Sequence, residues 1–412
     1  MAHLYQEDEV SIRPLFQAFH LNDSLTRIFF QIESVDMLFM RNESSGMYEA
    51  VGLIEFRAYP SYENLSVIDS AEAELLFQKQ DQENEIINDF IDLNLPFGES
   101  YVVEATCTDY NRNRKFRQVI EVKKEAEFDR QNFYLSDTNG QVIFPGNQIR
   151  VGESFIIHHS SEEENEMMVR YYNRDFPIAL PPYSVSNPKP FEFKADTMLT
   201  WVTETPMRLE KEGFYHMQED TANYFGFSLF AFPNHFPLLT TYDELRGPLR
   251  YLTTNREFNE IETAVNPKLA IDRFWLTLAG GSEDRARTLL RTYYERVEAA
   301  NQHFTSYIEG WKTDRGMIYC VFGPPNIIYR SSGGESWVYG QESSGLSYTF
   351  NFSKVSNPFS SNDYLLNRSS IYRYTWGQAI ETWRQGRVYN VNVIRREQDR
   401  QFRQNDPSMF WY

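Results

Sequence analysis

Short runs of alternating apolar residues, from residue 25 to about residue 125, constrain the fold more than any other feature. Each run is short enough for a single strand, and turn residues separate neighbouring runs. They are Leu25–Ser34, Met37–Met40, Ala50–Tyr59, Ala73–Gln78, Glu85–Leu93, Ser100–Thr108 and Lys115–Lys123. Strands at this spacing predict an antiparallel β-sandwich of immunoglobulin-like type over residues 25–128. Residues 1–24 are left as an N-terminal segment.

A turn followed by a tyrosine supports this prediction. Leu95–Ser100 precedes Tyr101 at the entry to a late strand, as in a tyrosine corner. The composition agrees, because 16% of the residues are aromatic and aromatic side chains suit a half-buried pleated surface.

A second series of β-type runs occupies residues 129–235. Asn139-Gly140 indicates a hairpin turn, because both residues tolerate a positive φ. The predicted strands are Gln148–His158, Glu166–Tyr172, Met198–Thr205, Gly213–Glu219 and Phe225–Phe232. They predict a second immunoglobulin-like sandwich. Tyr215 follows Gly213 much as Tyr101 follows its own turn, although this likeness is too slight to indicate an internal repeat.

Two segments of this second region have alternative interpretations. Pro177–Tyr183 is predicted to be extended, since its paired prolines exclude helix before them. It either lines a groove or packs as a strap between domains, and we favour the strap. His158 and His159 would point to opposite faces of a strand, which disfavours a metal site. An exposed polar loop is the favoured interpretation of these histidines.

The pattern becomes helical after Tyr242, which predicts a C-terminal α+β domain over residues 236–412. Asn266 and Pro267 suit the cap and first turn of one helix, and Ser282 caps the next. The second helix has apolar residues at intervals of three and four, which indicates a core-facing side: Ala286, Leu289, Leu290, Tyr293, Val297, Ala300, Phe304 and Tyr307. Strands are predicted at Met317–Phe322, Ser336–Tyr339 and Leu346–Phe352, and a late helix at Gln378–Arg384.

The run Gly310–Gly316 is predicted to form a rigid corner between the long helix and the strand Met317–Phe322. Gly310 would end the helix in a left-handed conformation. Thr313 and Asp314 bond readily to nearby backbone amides and fix tight turns. Gly316 would allow a close approach.

The other residues of this run have two interpretations. Trp311 can bury a large apolar area across the corner. Asp314 and Arg315 offer either one charge pair or two separate charge-assisted bonds. In the structural interpretation, which we favour, these residues hold the corner together. In the alternative, Trp311, Asp314 and Arg315 face a ligand or a partner.

This run and its surroundings resemble the defining motif of the GWxTD-domain family, a group of exported proteins of Bacteroidetes and related bacteria. The resemblance covers roughly Asp243–Phe352. The residues that it marks as a binding or structural motif are Gly310, Trp311, Thr313, Asp314, Arg315, Gly316, Gly323, Pro324 and Trp337. One departure follows Trp275, where the family pattern implies a charged segment ending in Arg-Asp-Pro and this chain has Leu276–Gly281.

Composition excludes several classes of function. A net charge of −18 and a pI of about 4.9 oppose binding to phosphate backbones, so no nucleic-acid partner is expected. The basic stretches Arg112–Lys124 and Arg384–Arg403 are solvated faces or docking surfaces. No run approaches the roughly 18 apolar residues of a membrane span. Cys107 and Cys320 are expected to be buried free thiols, with a disulfide as an alternative that nothing in the sequence supports, and no metal or cofactor is expected.

The leading hypothesis is a non-enzymatic envelope protein in which two sandwiches present the α+β domain to an envelope protein partner. The partner would belong to an outer-membrane or secretion complex. A periplasmic or outer-membrane location is implied by the resemblance alone, because the first ten residues contain no signal-peptide core. On the same basis, a processed chain is expected.

The alternative is a carbohydrate-binding protein or hydrolase that uses an aromatic-lined site in the α+β domain. Its candidate aromatic residues are Trp311, Trp337, Trp376 and Trp383. Sugars stack on exposed aromatic faces, so solvent-open rings around a concave pocket would favour this alternative. Buried rings would favour the protein-binding hypothesis.

Overall fold

The computed structural model describes residues 2–4, 14–79, 85–125, 129–144, 146–161, 163–173, 176–185, 194–222, 224–341 and 346–391. The chain divides into two compact units. One, the β unit, comprises Asp8–Arg174 and Phe193–Asn234. The other, the α+β unit, comprises Met1–Glu7, Asp175–Glu192 and His235–Tyr412.

The first strand, β1 (Ala2–Leu4), belongs to the α+β unit, and the strands after it form two facing sheets of the β unit. These strands are β2 (Leu15–His20), β3 (Leu25–Glu33), β4 (Met40–Arg41), β5 (Tyr48–Tyr59), β6 (Asp69–Lys79), β7 (Ile86–Asn94), β8 (Ser100–Asp109) and β9 (Arg114–Lys123). One sheet has the order β2-β3-β7, and the other has β4-β5-β8-β9 with β6 also paired to β5. All these pairings are antiparallel. We call this the first sheet pair.

Alternating side chains of both sheets meet in one apolar core. Phe30 and Ile91 come from the three-stranded sheet, and Phe56 and Cys107 come from the larger sheet. The Tyr101 hydroxyl donates a hydrogen bond of 2.7 Å to the carbonyl of Pro96. The predicted tyrosine corner is therefore confirmed. The edge strand β2 lies within the residues that the sequence left as an N-terminal segment.

The second sheet pair follows. Its strands are β10 (Phe133–Ser136), β11 (Gln148–Arg150), β12 (Ser154–His159), β13 (Glu166–Tyr172), β14 (Thr197–Val202), β15 (Pro206–Arg208), β16 (Gly213–Gln218) and β17 (Phe227–Phe232). The sheets have the orders β10-β12-β15 and β11-β17-β16-β13-β14. The β11–β17 pairing is parallel and the others are antiparallel. Both sheets contribute to one core, with Phe155 from the first and Leu229 from the second.

A second tyrosine corner occurs here. The Tyr215 hydroxyl donates to the carbonyl of Lys211 at 2.8 Å, so the likeness seen in the sequence corresponds to the same type of hydrogen bond in both corners.

His158 and His159 end strand β12 rather than lie in an exposed loop, which corrects that prediction. His159 is buried, whereas His158 is half-buried and bonds Glu204 at 2.6 Å.

The α+β unit contains the six α-helices of the described chain. They are α1 (Tyr242–Arg246), α2 (Asn255–Glu262), α3 (Pro267–Leu278), α4 (Glu283–Phe304), α5 (Asp314–Phe322) and α6 (Tyr372–Arg384). The strands are β18 (Ile327–Ser331), β19 (Gly334–Gln341), β20 (Leu346–Lys354) and β21 (Tyr364–Leu366), and they form one sheet in the order β1-β18-β19-β20-β21. The predicted mixed architecture is confirmed, with antiparallel sheets first and an α+β part last. The immunoglobulin-like character of the sheet pairs stays a prediction.

Several helix boundaries follow from residues that the sequence singled out. The Asn266 side chain caps α3 by accepting from the Leu269 amide, with Pro267 in the first turn. Ser282 caps α4 by accepting from the Arg285 amide. Both caps are confirmed. Of the described helices, none is long and apolar enough to span a membrane.

The predicted strand at Met317–Phe322 is wrong, because these residues are the greater part of helix α5. All nine residues of α5 are buried. A helix buried on every side has no polar face, so its sequence lacks the three-to-four spacing and resembles a buried strand.

Candidate functional site

The motif forms a turn between two helices. Helix α4 ends at Phe304, residues 310–312 form a short 3-10 helix, and Thr313 caps α5. The Thr313 hydroxyl accepts from the Gly316 amide at 3.0 Å and donates to the Gly310 carbonyl at 2.7 Å. The predicted role of Gly310 as the end of the long helix is therefore wrong, since α4 ends six residues earlier and Gly310 begins the next turn.

Both glycines of the motif are needed for close packing. A Cβ built on Gly310 would lie 1.9 Å from the carbonyl oxygen of Ala300 in α4. A Cβ on Gly316 would lie 1.9 Å from the carbonyl oxygen of Gly310. Because backbone atoms block both positions, only glycine allows the turn to pack against α4 and α5. The close approach expected for Gly316 is confirmed.

The Asp314 side chain is buried and bound from three directions. It accepts from the Leu366 amide at 2.7 Å and from Arg368 Nη1 at 3.0 Å, and Arg368 Nη2 bonds its other oxygen. Burial raises the pKa of the Asp314 carboxyl, while Arg368 and the Leu366 amide act in the opposite direction. Asp314 therefore joins the start of α5 to the chain that follows β21.

Arg315 makes a separate ion pair on the other side of the turn. Its guanidinium lies 3.4 Å from Glu335, and both side chains are 6% exposed. Glu335 also accepts from Arg330 at 3.1 Å and from the Trp337 indole at 2.9 Å. Burial acts to raise the Glu335 pKa, but the attraction of Arg315 and Arg330 outweighs it and lowers the pKa. The motif thus makes two separate charge-assisted contacts rather than one Asp314–Arg315 pair.

The candidate tryptophans are all buried. The exposed fractions are 7% for Trp311, 1% for Trp337, 6% for Trp376 and 0% for Trp383. Trp311 packs edge-on against Tyr251 with ring centroids 6.2 Å apart, and its carbonyl accepts from the Tyr251 hydroxyl at 2.9 Å. These indoles are part of the hydrophobic core of the unit.

Gly323 and Pro324 end helix α5. Gly323 has a φ of +80°, and its carbonyl accepts from the Tyr339 hydroxyl at 2.8 Å. A Cβ at Gly323 would lie 2.7 Å from the Arg296 guanidinium. Pro324 is half-buried. These two residues lie at the opposite end of α5 from Asp314, so the structure divides the predicted motif between the two ends of one buried helix and strand β19, which carries Trp337.

A proline-containing segment outside the helices and strands, Phe176–Val185, packs beside the motif, and we call it the strap. The Ala179 amide donates to the Lys312 carbonyl at 2.9 Å. Arg368 Nη2 donates to the Leu180 carbonyl at 3.2 Å. The Ser369 amide donates to the Pro182 carbonyl at 3.1 Å. Residues 182 and 183 form a turn, closed by the Ser184 amide donating to the Pro181 carbonyl at 2.9 Å, so the prediction of an extended segment is wrong for its last two residues and stays a prediction for the others.

Sequence reasoning missed the residues that connect the motif to the strap. Arg368 lies in a short polar loop after β21, and nothing in its neighbours marks it as the partner of Asp314. Lys312 contributes its backbone carbonyl, and the type of side chain at a position does not indicate which partner its backbone carbonyl will bind. The prolines of the strap were visible in the sequence, but their place beside the motif was not.

Within the described ranges, no group of three or more His, Cys, Asp or Glu side chains could hold a metal ion. Cys107 and Cys320 are free and buried, as expected. Burial raises the pKa of the Cys107 thiol to about 12 and that of Cys320 further. Because the thiolate is the reactive form, neither is suited to nucleophilic chemistry.

The model of the GWxTD domain family matches residues 213–385. The match begins at β16 and ends just after α6, so it includes the motif and Arg368. No curated protein matches the sequence.

Some solved structures resemble parts of the chain at low scores. One is a Bacteroides uniformis beta-glucuronidase, with 8% identity, a TM-score of 0.20, and coverage of 33% of this chain and 15% of that one. Another is a glycosyl hydrolase family 2 member from Bacteroides cellulosilyticus, with 8% identity, a TM-score of 0.20, and coverage of 35% and 19%. A C-terminal fragment of intimin, solved with its receptor domain, has 11% identity, a TM-score of 0.15, and coverage of 88% and 95%. This chain thus spans less than a fifth of either glycosidase.

Proposed function

This chain is a GWxTD domain-containing protein, and from that premise we propose that it is a non-enzymatic, protein-binding subunit of the bacterial envelope. It would act as an accessory component of an outer-membrane or secretion complex. The envelope part of this proposal, with a periplasmic or outer-membrane location, follows from the resemblance of the motif to exported proteins.

The observation that carries the protein-binding part is how the motif uses its polar groups. The carboxylates of Asp314 and Glu335 are each bound by arginine and by an N–H donor. Charged groups held in this way brace a fold rather than meet a substrate, because a reacting group needs access to it. A rigid α+β unit of this kind is suited to presenting a surface to another protein.

The carbohydrate-binding or hydrolase alternative has less support. It requires aromatic rings open to solvent, and the four candidate indoles are at most 7% exposed. A sugar could reach their faces only if the core of the unit opened.

The test is capture of the tagged full-length protein from its native cells after mild crosslinking, followed by mass spectrometry. We expect one envelope protein at near-equal amount, recovered at its natural expression level. The control is an unrelated tagged envelope protein of similar acidity, processed in parallel. Absence of any enriched partner, together with saturable binding of a glycan that quenches tryptophan fluorescence, would favour the alternative.

A further inference from the structure

We propose that the groove beneath the strap is a binding site for a proline-containing peptide of a partner protein. In this structure the strap fills the site from within the same chain. The inference rests on the proposed protein-binding function and names the site and the chemistry that the site selects.

The strap is held as a peptide ligand is held, through its backbone. One amide, of Ala179, and two carbonyls, of Leu180 and Pro182, each meet a partner across the groove. Residues 176–180 form no strand ladder. Main-chain hydrogen bonds supply affinity in such recognition, and side-chain pockets supply selectivity.

The side chains of the strap show which sequence the groove fits. Ile178 packs against the hydrophobic core of the unit, and Pro182 is buried. Phe176 meets the ring of Tyr307 edge-on at 5.3 Å. Tyr183 lies 4.6 Å from the Arg373 guanidinium, within range of a cation–π contact. A ligand of this site therefore needs an apolar residue, a proline and a tyrosine at this spacing.

Proline suits this role for a physical reason. Pro177, Pro181 and Pro182 restrict the free segment to extended conformations, so less conformational entropy is lost when it binds. They also remove amide donors that would otherwise be desolvated without a partner.

The family motif builds the groove. The turn at residues 310–312 presents the Lys312 carbonyl to the strap. Asp314 holds two nitrogens of Arg368, and one of these nitrogens also reaches the Leu180 carbonyl. The buried aspartate thereby fixes the direction of a peptide-binding donor, which gives the motif a role beyond bracing its own corner.

Exposed apolar residues extend the site. Leu180 is 39% exposed on the strap. Ile371, the residue before α6, and Tyr374, in the same first turn of α6 as Arg373, are 74% and 73% exposed. A partner whose peptide entered the groove would find further apolar surface next to it.

The test uses full-length protein and a fluorescein-labelled synthetic peptide with the sequence of residues 176–185. The strap is weakened by the triple substitution Ile178→Gly, Pro182→Ser and Tyr183→Ser, which removes its side-chain anchors. We expect this variant to bind the peptide at least about tenfold more tightly than the unaltered protein does. A scrambled peptide is the ligand control. Adding Arg373→Ala to the variant should weaken binding again, because it removes the contact with the peptide tyrosine.

Two results would overturn the proposal. One is a strap-weakened variant that keeps slow amide hydrogen exchange in α4 and α5 yet shows no saturable binding of the peptide up to about 1 mM. If that variant does not fold, exchange at the Ala179 amide of the unaltered protein decides. Excess peptide should speed this exchange by displacing the strap, and an unchanged rate would refute the proposal.

The capture experiment separates this proposal from the broader one. If the strap-weakened variant captures no more of its cellular partner than the unaltered protein does, the partner binds elsewhere and only the groove is refuted. If no partner is captured but the peptide binds, the groove stands and the subunit role fails.

Discussion

The two units bury polar groups in different ways. In the α+β unit, Asp314 pairs with Arg368, and Arg315 pairs with Glu335, so opposite charges neutralise each other inside the protein. In the β unit, His20, His216 and Lys124 are at most 2% exposed, and their hydrogen bonds go to neutral groups. The α+β unit therefore depends on ion pairs beside the motif, whereas these three groups of the β unit stay uncharged or are satisfied by dipoles, although the β unit also buries Asp109 at 3.5 Å from Arg112.

In the first sheet pair, neutral groups surround the buried Lys124 and His20. The Lys124 ammonium donates to the Leu25 carbonyl at 3.0 Å and lies 3.3 Å from the Thr26 hydroxyl, which also bonds His20. Burial lowers the Lys124 pKa to about 8, against the attraction of Asp23. Burial likewise lowers the His20 pKa to about 4. Neutral acceptors hold these groups. We therefore expect a change of pH to alter the stability of the β unit, whereas substitution of an ion-pair partner should alter the stability of the α+β unit.

The largest effect is expected from Gly316→Ala in the α+β unit. The new Cβ would collide with the Gly310 carbonyl oxygen, a backbone atom that cannot rotate away. We expect a loss of about 3 kcal/mol or more in the free energy of unfolding. Urea unfolding followed by tryptophan fluorescence measures it, since five tryptophans lie in the described part of this unit.

The matched control is Gly377→Ala in α6, where nothing lies within 4 Å of the new Cβ. Alanine has the higher helix propensity, so this variant should gain about 0.5–1 kcal/mol. Equal effects of the two substitutions would show that close packing at the motif does not matter.

Asp314→Ala is expected to have an effect of similar size. It leaves the Arg368 guanidinium buried without its carboxylate, which costs about 3–5 kcal/mol for a buried pair. The double variant Asp314→Leu with Arg368→Met should lose less, because it leaves no uncompensated charge. The same unfolding measurement applies, and a double variant less stable than Asp314→Ala would contradict the ion-pair account of this unit.

Acid should destabilise the β unit through its buried histidines. Burial lowers the pKa of His216 to about 3 and that of His20 to about 4, so below about pH 6.5 the unfolded chain binds protons that the folded one does not. Stability then falls as the pH falls, by up to about 1.4 kcal/mol per pH unit for each histidine, until the pH reaches the folded pKa.

Urea unfolding at pH 7 and pH 5, followed by circular dichroism of the β-sheet signal, measures this loss. We expect about 2 kcal/mol for each histidine at pH 5. His216→Gln should remove its own share of about 2 kcal/mol, while His20 and His159, whose pKa values burial also lowers, keep theirs. Equal stability of the β unit at the two pH values would show that these histidines do not govern its response to acid.

The sequence predicted local features better than distant contacts in both units. The alternation of residues 50–59 and the caps Asn266 and Ser282 depend on neighbouring residues, so the pattern alone located them. Helix α5 was mistaken for a strand because burial on all sides removes the periodicity that distinguishes the two. A feature was therefore predicted correctly when residues close in the sequence determine it, and wrongly when contacts with distant residues determine it.

The candidate site was predicted only in part for the same reason. The turn and its two charged residues were identified, but their partners were not. Arg368 lies 54 residues from Asp314 in the sequence, and 188 residues from Leu180, the strap residue that it binds. No local signal encodes contacts at that separation, and backbone carbonyls such as that of Lys312 carry no sequence signal at all.

The smallest effect is expected at the tyrosine corners, where the two sheet pairs can be compared with each other. Tyr101→Phe removes the hydrogen bond to Pro96 and should cost about 1 kcal/mol. In the second pair, Tyr215 bonds Lys211, and Tyr171 donates to the adjacent Glu212 carbonyl at 2.7 Å. Two hydroxyls thus hold one stretch of backbone, so Tyr215→Phe should cost less than Tyr101→Phe in urea unfolding. A larger loss for Tyr215→Phe would mean that the Tyr171 hydroxyl does not help to hold this stretch of backbone. The extra hydrogen bond of the second corner would then give it no advantage over the first.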